Sequence, residues 1–174
     1  MQGGRKIFMT ERLFGPNLLT IGVDVLGSAD YSGRLWNAYQ TEPERFSNSM
    51  ELLRMMEAFF DKINFPQNAV HYRSFQKEQR SSSPTVRAED RKPVMSEIEK
   101  NRGDKGTFIV QVMYRQNATW QGQVIWAEQN KKVYFRSAME LLKLMDSALE
   151  TGTIEQEENN ITFPLPGDKK EDSD

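Results

Sequence analysis

The 174-residue chain contains no cysteine and only one histidine, His71. The absence of cysteine excludes disulfide bonds, thiolate metal sites, iron–sulfur clusters and cysteine nucleophiles. A single histidine also excludes the metal sites that need several histidine ligands. We therefore expect no catalytic site of these kinds and no bound cofactor.

Long hydrophobic runs are missing as well. The most apolar stretch, residues 18–26, is interrupted by Asp24 and falls well short of the roughly 20 residues that span a membrane. No apolar segment of the signal-peptide kind follows Arg5 and Lys6. We therefore expect a cytoplasmic protein that does not enter a membrane.

The chain also has few apolar residues for its length. Hydrophobic residues make up 37% of it, whereas a compact domain holds roughly 45%. Two segments account for the difference. Residues 67–106 are polar and charged, which predicts a flexible linker. Residues 150–174 hold eight acidic and two basic residues, which predicts an acidic and mostly disordered tail.

The most informative feature that is present is an internal repeat at a spacing of 89 residues. Residues 18–60 align with residues 107–149 without a gap and are identical at 11 of 43 positions. The identical residues include a glycine, a phenylalanine and a block of four: Gly33/Gly122, Phe46/Phe135 and 50–53/139–142. A gap-free match of this length predicts a tandem duplication of one structural unit.

Each copy of the repeat predicts two strands followed by a helix. Apolar and polar side chains alternate around Val23 and around Val112, which is the pattern of a half-buried strand. Turn-forming residues follow, and a second strand is predicted near residues 31–39 and 120–128. Asn48 and Ser137 then begin capping boxes, because each precedes a glutamate by three residues.

These patterns predict an α+β fold built from tandem β-β-α repeats with pseudo-two-fold symmetry. About four antiparallel strands would be covered on one face by two helices. We expect the first unit within residues 1–66 and the second at 107–149, joined by the linker and followed by the tail. The two units should share one core, because a single β-β-α unit cannot bury its own sheet face.

Two short motifs indicate a nucleotide ligand. Arg87 and Arg91 form an R-x-x-x-R pattern, and residues 117–122 match an Asn-x-Thr-x-x-Gly turn. In this order the motifs resemble the signature of PilZ-type domains, which bind cyclic di-GMP. The resemblance implies that the two arginines contact the ligand together with Asn117 and Thr119. The chain departs from that family because a helix, instead of further strands, is predicted soon after the glycine.

A second candidate surface is the sheet face turned away from the helices. Strand periodicity places two aromatic residues, a methionine and an arginine there: Tyr39, Met113, Arg115 and Trp126. Such a face could stack nucleic-acid bases or accept a peptide or helix from a partner.

The leading functional hypothesis is a non-enzymatic binding protein, an adaptor or regulator that contacts a protein partner. It rests on the missing catalytic groups, the duplication and the flexible segments. The alternative is a module that binds nucleic acid or a nucleotide. A third possibility, an enzyme that uses only carboxylates and tyrosines, predicts a deep polar pocket between the two units. The sequence leaves the partner and the oligomeric state open.

Overall fold

A computed structural model describes Leu13 and residues 15–68, 101–116 and 119–160, with side chains as far as Gly152. Within these residues the architecture is α+β, as the sequence predicts, and each half of the chain runs β-β-β-α. The elements are β1 (Leu18–Leu26), β2 (Tyr31–Asn37), β3 (Glu44–Phe46), α1 (Ser49–Ile63), β4 (Gly106–Gln116), β5 (Thr119–Trp126), β6 (Lys131–Phe135) and α2 (Ala138–Asn160).

The strands of the described residues form one antiparallel sheet in the order β3-β2-β1-β4-β5-β6. The expectation of about four strands is therefore corrected to six. The additional strands, β3 and β6, are the two edges of the sheet. They are only three and five residues long, and most of their side chains are charged or exposed. Short edge strands of this kind leave no periodic apolar pattern in a sequence.

The two halves share their hydrogen-bond register as well as their element order. The pairing of β1 with β2 shifts directly after Val23, and that of β4 with β5 shifts directly after Val112. At the centre of the sheet, Thr20 of β1 faces Ile109 of β4. Each of these pairs of positions is separated by 89 residues.

A glycine in the second strand of each half holds the third strand in place. Gly33 pairs with Phe46, and Gly122 pairs with Phe135. A methyl group added to Gly33 would collide with the carbonyl oxygen of Gly22, and one added to Gly122 would collide with a carbonyl oxygen of β4. The phenylalanine ring covers the bare backbone in both halves, so the glycine and the phenylalanine depend on each other.

The main core lies between one face of the sheet and the two helices. It includes alternate residues of β1 and β4 and the apolar stripes of the helices: Leu19, Ile21, Val23, Phe108, Val110, Val112, Leu52, Met56, Phe60, Leu141 and Met145. This alternation is why the two central strands are recognisable in the sequence. The opposite face is partly covered too, because a smaller cluster forms there from Leu13, Leu18, Ile109 and Ile125.

Both helices begin where the capping boxes predict. The Asn48 side chain accepts a hydrogen bond from the Glu51 N–H at 2.8 Å, and the Ser137 hydroxyl accepts one from the Glu140 N–H at 3.0 Å. Each glutamate carboxylate accepts from the N–H of the residue before the cap, and not from the cap itself. These bonds satisfy backbone donors that a helix otherwise leaves free at its start.

The predicted linker and tail lie mostly outside the described residues, which omit 69–100 and 161–174. The beginning of the predicted tail is helical, because α2 continues past residue 149 to Asn160. None of the described helices is long and apolar enough to cross a membrane.

Candidate functional site

An open cavity of about 510 Å³ lies where the two halves of the chain meet. One wall is the turn between β1 and β2, residues 27–30, together with Ser49 at the start of α1. The other wall is α2 of the second half, which contributes Met139, Leu142, Lys143, Asp146, Leu149 and Glu150. The site therefore needs both halves of the chain.

Asp30 fixes the turn side of the cavity. Its Oδ1 accepts hydrogen bonds from the N–H of Tyr31 at 2.8 Å and of Ser49 at 2.9 Å. Its Oδ2 accepts one from the Ser49 hydroxyl at 3.1 Å. Desolvation acts to raise the pKa of Asp30, but these hydrogen bonds outweigh it and the pKa is lowered. Asp30 is thus an ionised side chain that ties the β1–β2 turn to α1.

Two carboxylates of α2 line the opposite side. Asp146 and Glu150 are one helical turn apart, so they project from the same helix face. Within the described part of the chain, no hydrogen bond or ion pair joins either of them to Lys143 or to another side chain. Burial raises the pKa of Asp146, and the charges of Glu150 and Asp30 raise it further. The cavity therefore gathers negative charge that is not compensated by contact with a cation.

Tyr31 adds a polar group at the base of the cavity. Its side chain is only 5% exposed, and its hydroxyl donates a weak hydrogen bond to Met145 Sδ at 4.0 Å. Burial raises the pKa of Tyr31, and the charges of Asp146 and Asp30 raise it further. The hydroxyl stays protonated and has no strong partner among the described residues.

The mouth of the cavity is apolar. Leu26, at the end of β1, and Met139, in the first turn of α2, line the cavity and are exposed. Val25, next to Leu26, is exposed as well. Large exposed apolar side chains around a polar recess are typical of sites that bind other molecules.

A related group of side chains, centred on Arg115 of β4, joins the second half of the chain to α1 of the first half. Arg115 is 2% exposed. Its Nε donates to the Pro66 carbonyl oxygen at 2.8 Å, and its Nη1 donates to Glu57 at 3.1 Å and to Asp61 at 2.7 Å. The guanidinium carbon lies 5.7 Å from the centroid of the Phe60 ring. A buried guanidinium with several acceptors is well compensated for its loss of hydration.

Trp120 and Glu57 complete this network. The Trp120 indole N–H donates to Glu57 Oε2 at 2.9 Å. Burial raises the pKa of Glu57, and the neighbouring Asp61 also raises it. Together these outweigh Arg115 and Trp120, which lower it.

The four residues predicted to share the helix-free face do not do so. Arg115 is directed toward α1, because the irregular register after Val112 reverses the alternation of the strand. Trp126 packs on the helix side of the sheet, and so does Tyr39, whose ring lies 5.9 Å from that of Phe59. Met113 is exposed at the register shift. The expected binding face is therefore not formed by these residues.

The residues of the nucleotide-binding motifs are mostly outside the described part of the chain. This applies to Arg87, Arg91 and Asn117. Thr119 is described, and its hydroxyl donates to the Arg136 carbonyl oxygen at 3.3 Å. The resemblance to PilZ-type domains stays a prediction.

Other aromatic residues occupy the helix-free face. Tyr134 pairs with Gln123, and Tyr114 pairs with Gln121, which places both tyrosines opposite the helices. Both rings are exposed, and the Lys132 ammonium lies 5.7 Å from the centroid of Tyr134. Simple alternation from Val112 would place Tyr114 on the face that the helices cover, and the register shift after Val112 turns it to the open face.

The geometry of the cavity favours cation binding over acid–base catalysis. The pKa values of Asp30 and Asp146 are displaced in opposite directions, as in enzymes that use two carboxylates. Both oxygens of Asp30 are, however, already engaged by the turn and by α1. Within the described ranges, no group of three acidic or histidine side chains is placed to hold a metal ion.

The sequence alone does not draw attention to this cavity. Asp146 stands in the middle of an amphipathic helix, and Glu150 falls in the predicted acidic tail. The aligned copies do contain a clue, because the acidic residues are present in both while position 115 is arginine and position 26 is leucine. Positions 26 and 115 therefore mark a place where the two aligned segments differ in charge.

Comparison with known proteins finds no significant match to a protein-family model, a curated protein or a solved structure. Function is therefore inferred from the geometry of the described residues.

Proposed function

We propose that the protein is a non-enzymatic binding module, an adaptor or regulator, and that the cavity is where it recognises a protein partner. The observation that carries the proposal is the pair of carboxylates Asp146 and Glu150, which have no ion-pair partner among the described residues and lie beside exposed Leu26 and Met139. Protein interfaces combine a few apolar anchors with charged groups of complementary sign. The partner would present a basic side chain flanked by apolar residues.

We also infer that the chain arose by tandem duplication of one β-β-β-α unit. The spacing of 89 residues between the matched identities, between the two register shifts and between Thr20 and Ile109 at the centre of the sheet supports this origin. The duplication explains why the cavity lies between halves. One copy supplies the turn and the other supplies the acidic helix. In two linked copies, one of the two corresponding sites can change while the other is kept.

Quantitative affinity capture from a native extract, after nuclease treatment, tests the binding proposal. Met139→Ser and Asp146→Asn should each reduce the captured partner by about fivefold or more, which corresponds to the loss of more than about 1 kcal/mol of binding energy. Met50→Ser is the matched control. Met50 occupies the corresponding position of α1, is 56% exposed against 61% for Met139, and does not line the cavity.

The control should capture as much partner as the wild type. Unchanged capture by both cavity variants would contradict the proposal, because the cavity would then contribute nothing to recognition. Equal losses in Met139→Ser and Met50→Ser would also contradict it, since the effect would not be specific to the cavity.

Nucleic-acid binding at the helix-free face is a second candidate function. The exposed rings of Tyr114 and Tyr134, with Lys132 beside them, are groups that stack on bases and attract phosphates. A labelled single-stranded oligonucleotide should then bind at low salt and be released at high salt. Tyr134→Ser should weaken binding by about fivefold or more. No binding by the wild type at low salt would eliminate this candidate.

A further inference from the structure

We propose that the group received by the cavity is a guanidinium, supplied by an arginine side chain of the protein partner. This inference rests on the proposed function, because it names the chemistry that the same site recognises.

The contact between β4 of the second half and α1 of the first half is a filled counterpart of the cavity. At the spacing of 89 residues, the residues around Arg115 correspond to residues that line the cavity: Glu57/Asp146, Asp61/Glu150, Trp120/Tyr31 and Phe60/Leu149. Both acidic pairs lie one turn apart on their helices. The position that corresponds to Arg115 is occupied by Leu26 of β1, so the cavity keeps the two acids of α2 but has no arginine on the facing strand.

The filled counterpart shows what this arrangement accommodates. Arg115 contacts two carboxylates and a backbone carbonyl at once, at 2.7–3.1 Å. Its guanidinium lies beside Phe60, an apolar side chain of α1. In the first half, the Leu26 side chain is too short and too apolar to reach Asp146 and Glu150 in this way. An open cavity remains where the second half holds its own arginine.

The same geometry favours a guanidinium over an ammonium group. A guanidinium presents five donors in a rigid plane, so one group can bridge two carboxylates that are one helical turn apart. Its apolar stem can pack along Leu149, which corresponds to Phe60, while the exposed Leu26 and Met139 meet the partner around it. The buried Tyr31 hydroxyl, whose one hydrogen bond to a described residue goes to the Met145 thioether, supplies an additional acceptor at the base.

To test this assignment, the full-length protein is titrated with N-acetylarginine amide and with N-acetyllysine amide. Binding is monitored by the amide resonances in NMR spectra. The arginine compound should shift the resonances of residues 27–31 and 139–150, with an affinity on the order of millimolar. The lysine compound should bind at least about fivefold more weakly, because an ammonium group cannot bridge both carboxylates. Asp146→Asn should weaken arginine binding by about tenfold.

Leu26→Arg provides the decisive variant. It restores the arginine that the second half already has, so its own guanidinium should occupy the cavity and abolish binding of the arginine compound. Leu26→Met is the control for a change of side chain without charge, and it should bind like the wild type. The same spectra report whether each variant is folded.

The outcomes separate this inference from the proposed function. Equal affinity for the arginine and lysine compounds would overturn the guanidinium assignment. The proposed function would still stand in that case if partner capture depended on Asp146. An absence of shifts with either compound would also overturn it. If, in addition, Asp146→Asn and Met139→Ser captured as much partner as the wild type, the proposed function would fall as well.

Discussion

Arg115 illustrates how far one side chain can be buried when its acceptors are provided. Transfer of a cation into a protein interior is unfavourable by several kcal/mol unless hydrogen bonds and opposite charges compensate. Here Glu57, Asp61 and the Pro66 carbonyl do so. Such a residue contributes to the free energy of unfolding mainly because its removal would leave the remaining carboxylates without a compensating cation.

Arg115→Met should lower the free energy of unfolding by about 3–5 kcal/mol, because Glu57 would stay half-buried without its cation. Arg136→Met is the matched control. Arg136 also pairs with a glutamate, Glu140, but its side chain is 87% exposed, so the change should be below about 0.5 kcal/mol. Urea unfolding at pH 7 measures both. Similar effects in the two variants would contradict the assigned role of burial.

Asp146→Asn should stabilise the protein at neutral pH. The pKa of Asp146 is raised above its ordinary value of 3.8 in the folded state. The ionised form is therefore destabilising above the folded pKa, and this effect vanishes once the pH is below the unfolded pKa. The urea midpoint of the variant should exceed that of the wild type at pH 7 and equal it below about pH 3. A lower midpoint at pH 7 would contradict the view that Asp146 is kept for binding.

Asp24→Asn should have the opposite sign. The pKa of Asp24 is lowered, first by its hydrogen bonds with Arg34, whose Nε and Nη2 each lie 2.7 Å from a carboxylate oxygen. The ionised Asp24 therefore stabilises the folded state. This stabilisation is present above the pKa of the unfolded state and is lost as the pH falls through the pKa of the folded state. The urea midpoint should drop at pH 7 and the loss should shrink at low pH. The same sign for Asp24→Asn and Asp146→Asn would refute this electrostatic assignment.

The helices and the edge strands differ in how much of their structure is encoded locally. The starts of both helices were predictable because the capping boxes and the apolar stripes are signals within one short segment. The edge strands β3 and β6 were not, because each needs an apolar residue only where it covers a glycine, at Phe46 or Phe135. The sequence alignment shows a phenylalanine at both positions. Its role, however, depends on the glycine in the neighbouring strand.

Gly33→Ala should destabilise the protein by about 1–3 kcal/mol or more, because the added methyl group would collide with backbone atoms of β1. Gly152→Ala is the control. It lies inside α2, and its methyl group would meet only the Trp126 ring at 3.8 Å. Alanine there should stabilise the helix by up to about 1 kcal/mol. Thermal unfolding of both variants checks the contrast, and a neutral Gly33→Ala would show that β2 and β3 are packed differently.

The register shift in β4 explains why the candidate site was only partly predictable. Simple alternation places Arg115 with Met113, away from the helices. One irregular position after Val112 instead turns Arg115 inward and Tyr114 outward. The alternation of apolar and polar residues gives no sign of this reversal. The contacts between β4 and α1 therefore cannot be predicted from strand periodicity.

The described part of the protein combines two halves, each with the element order β-β-β-α, in one sheet and one core. The α+β class and the antiparallel sheet with two helices followed from the sequence, because the repeat and its periodicities are strong patterns. The cavity did not, since it depends on two segments, the β1–β2 turn and α2, that are more than 100 residues apart in the chain. At the spacing of 89 residues, Arg115 corresponds to Leu26, and the cavity lies beside the leucine.

A double-mutant cycle between Leu26→Arg and Asp146→Asn tests most directly whether the cavity is built for a guanidinium. The free energy of unfolding is measured for the wild type, both single variants and the double variant, with Leu26→Met as the uncharged control. We predict a favourable coupling of about 1–3 kcal/mol between Arg at position 26 and Asp146, as expected for residues in contact. Additivity within about 0.5 kcal/mol would contradict it.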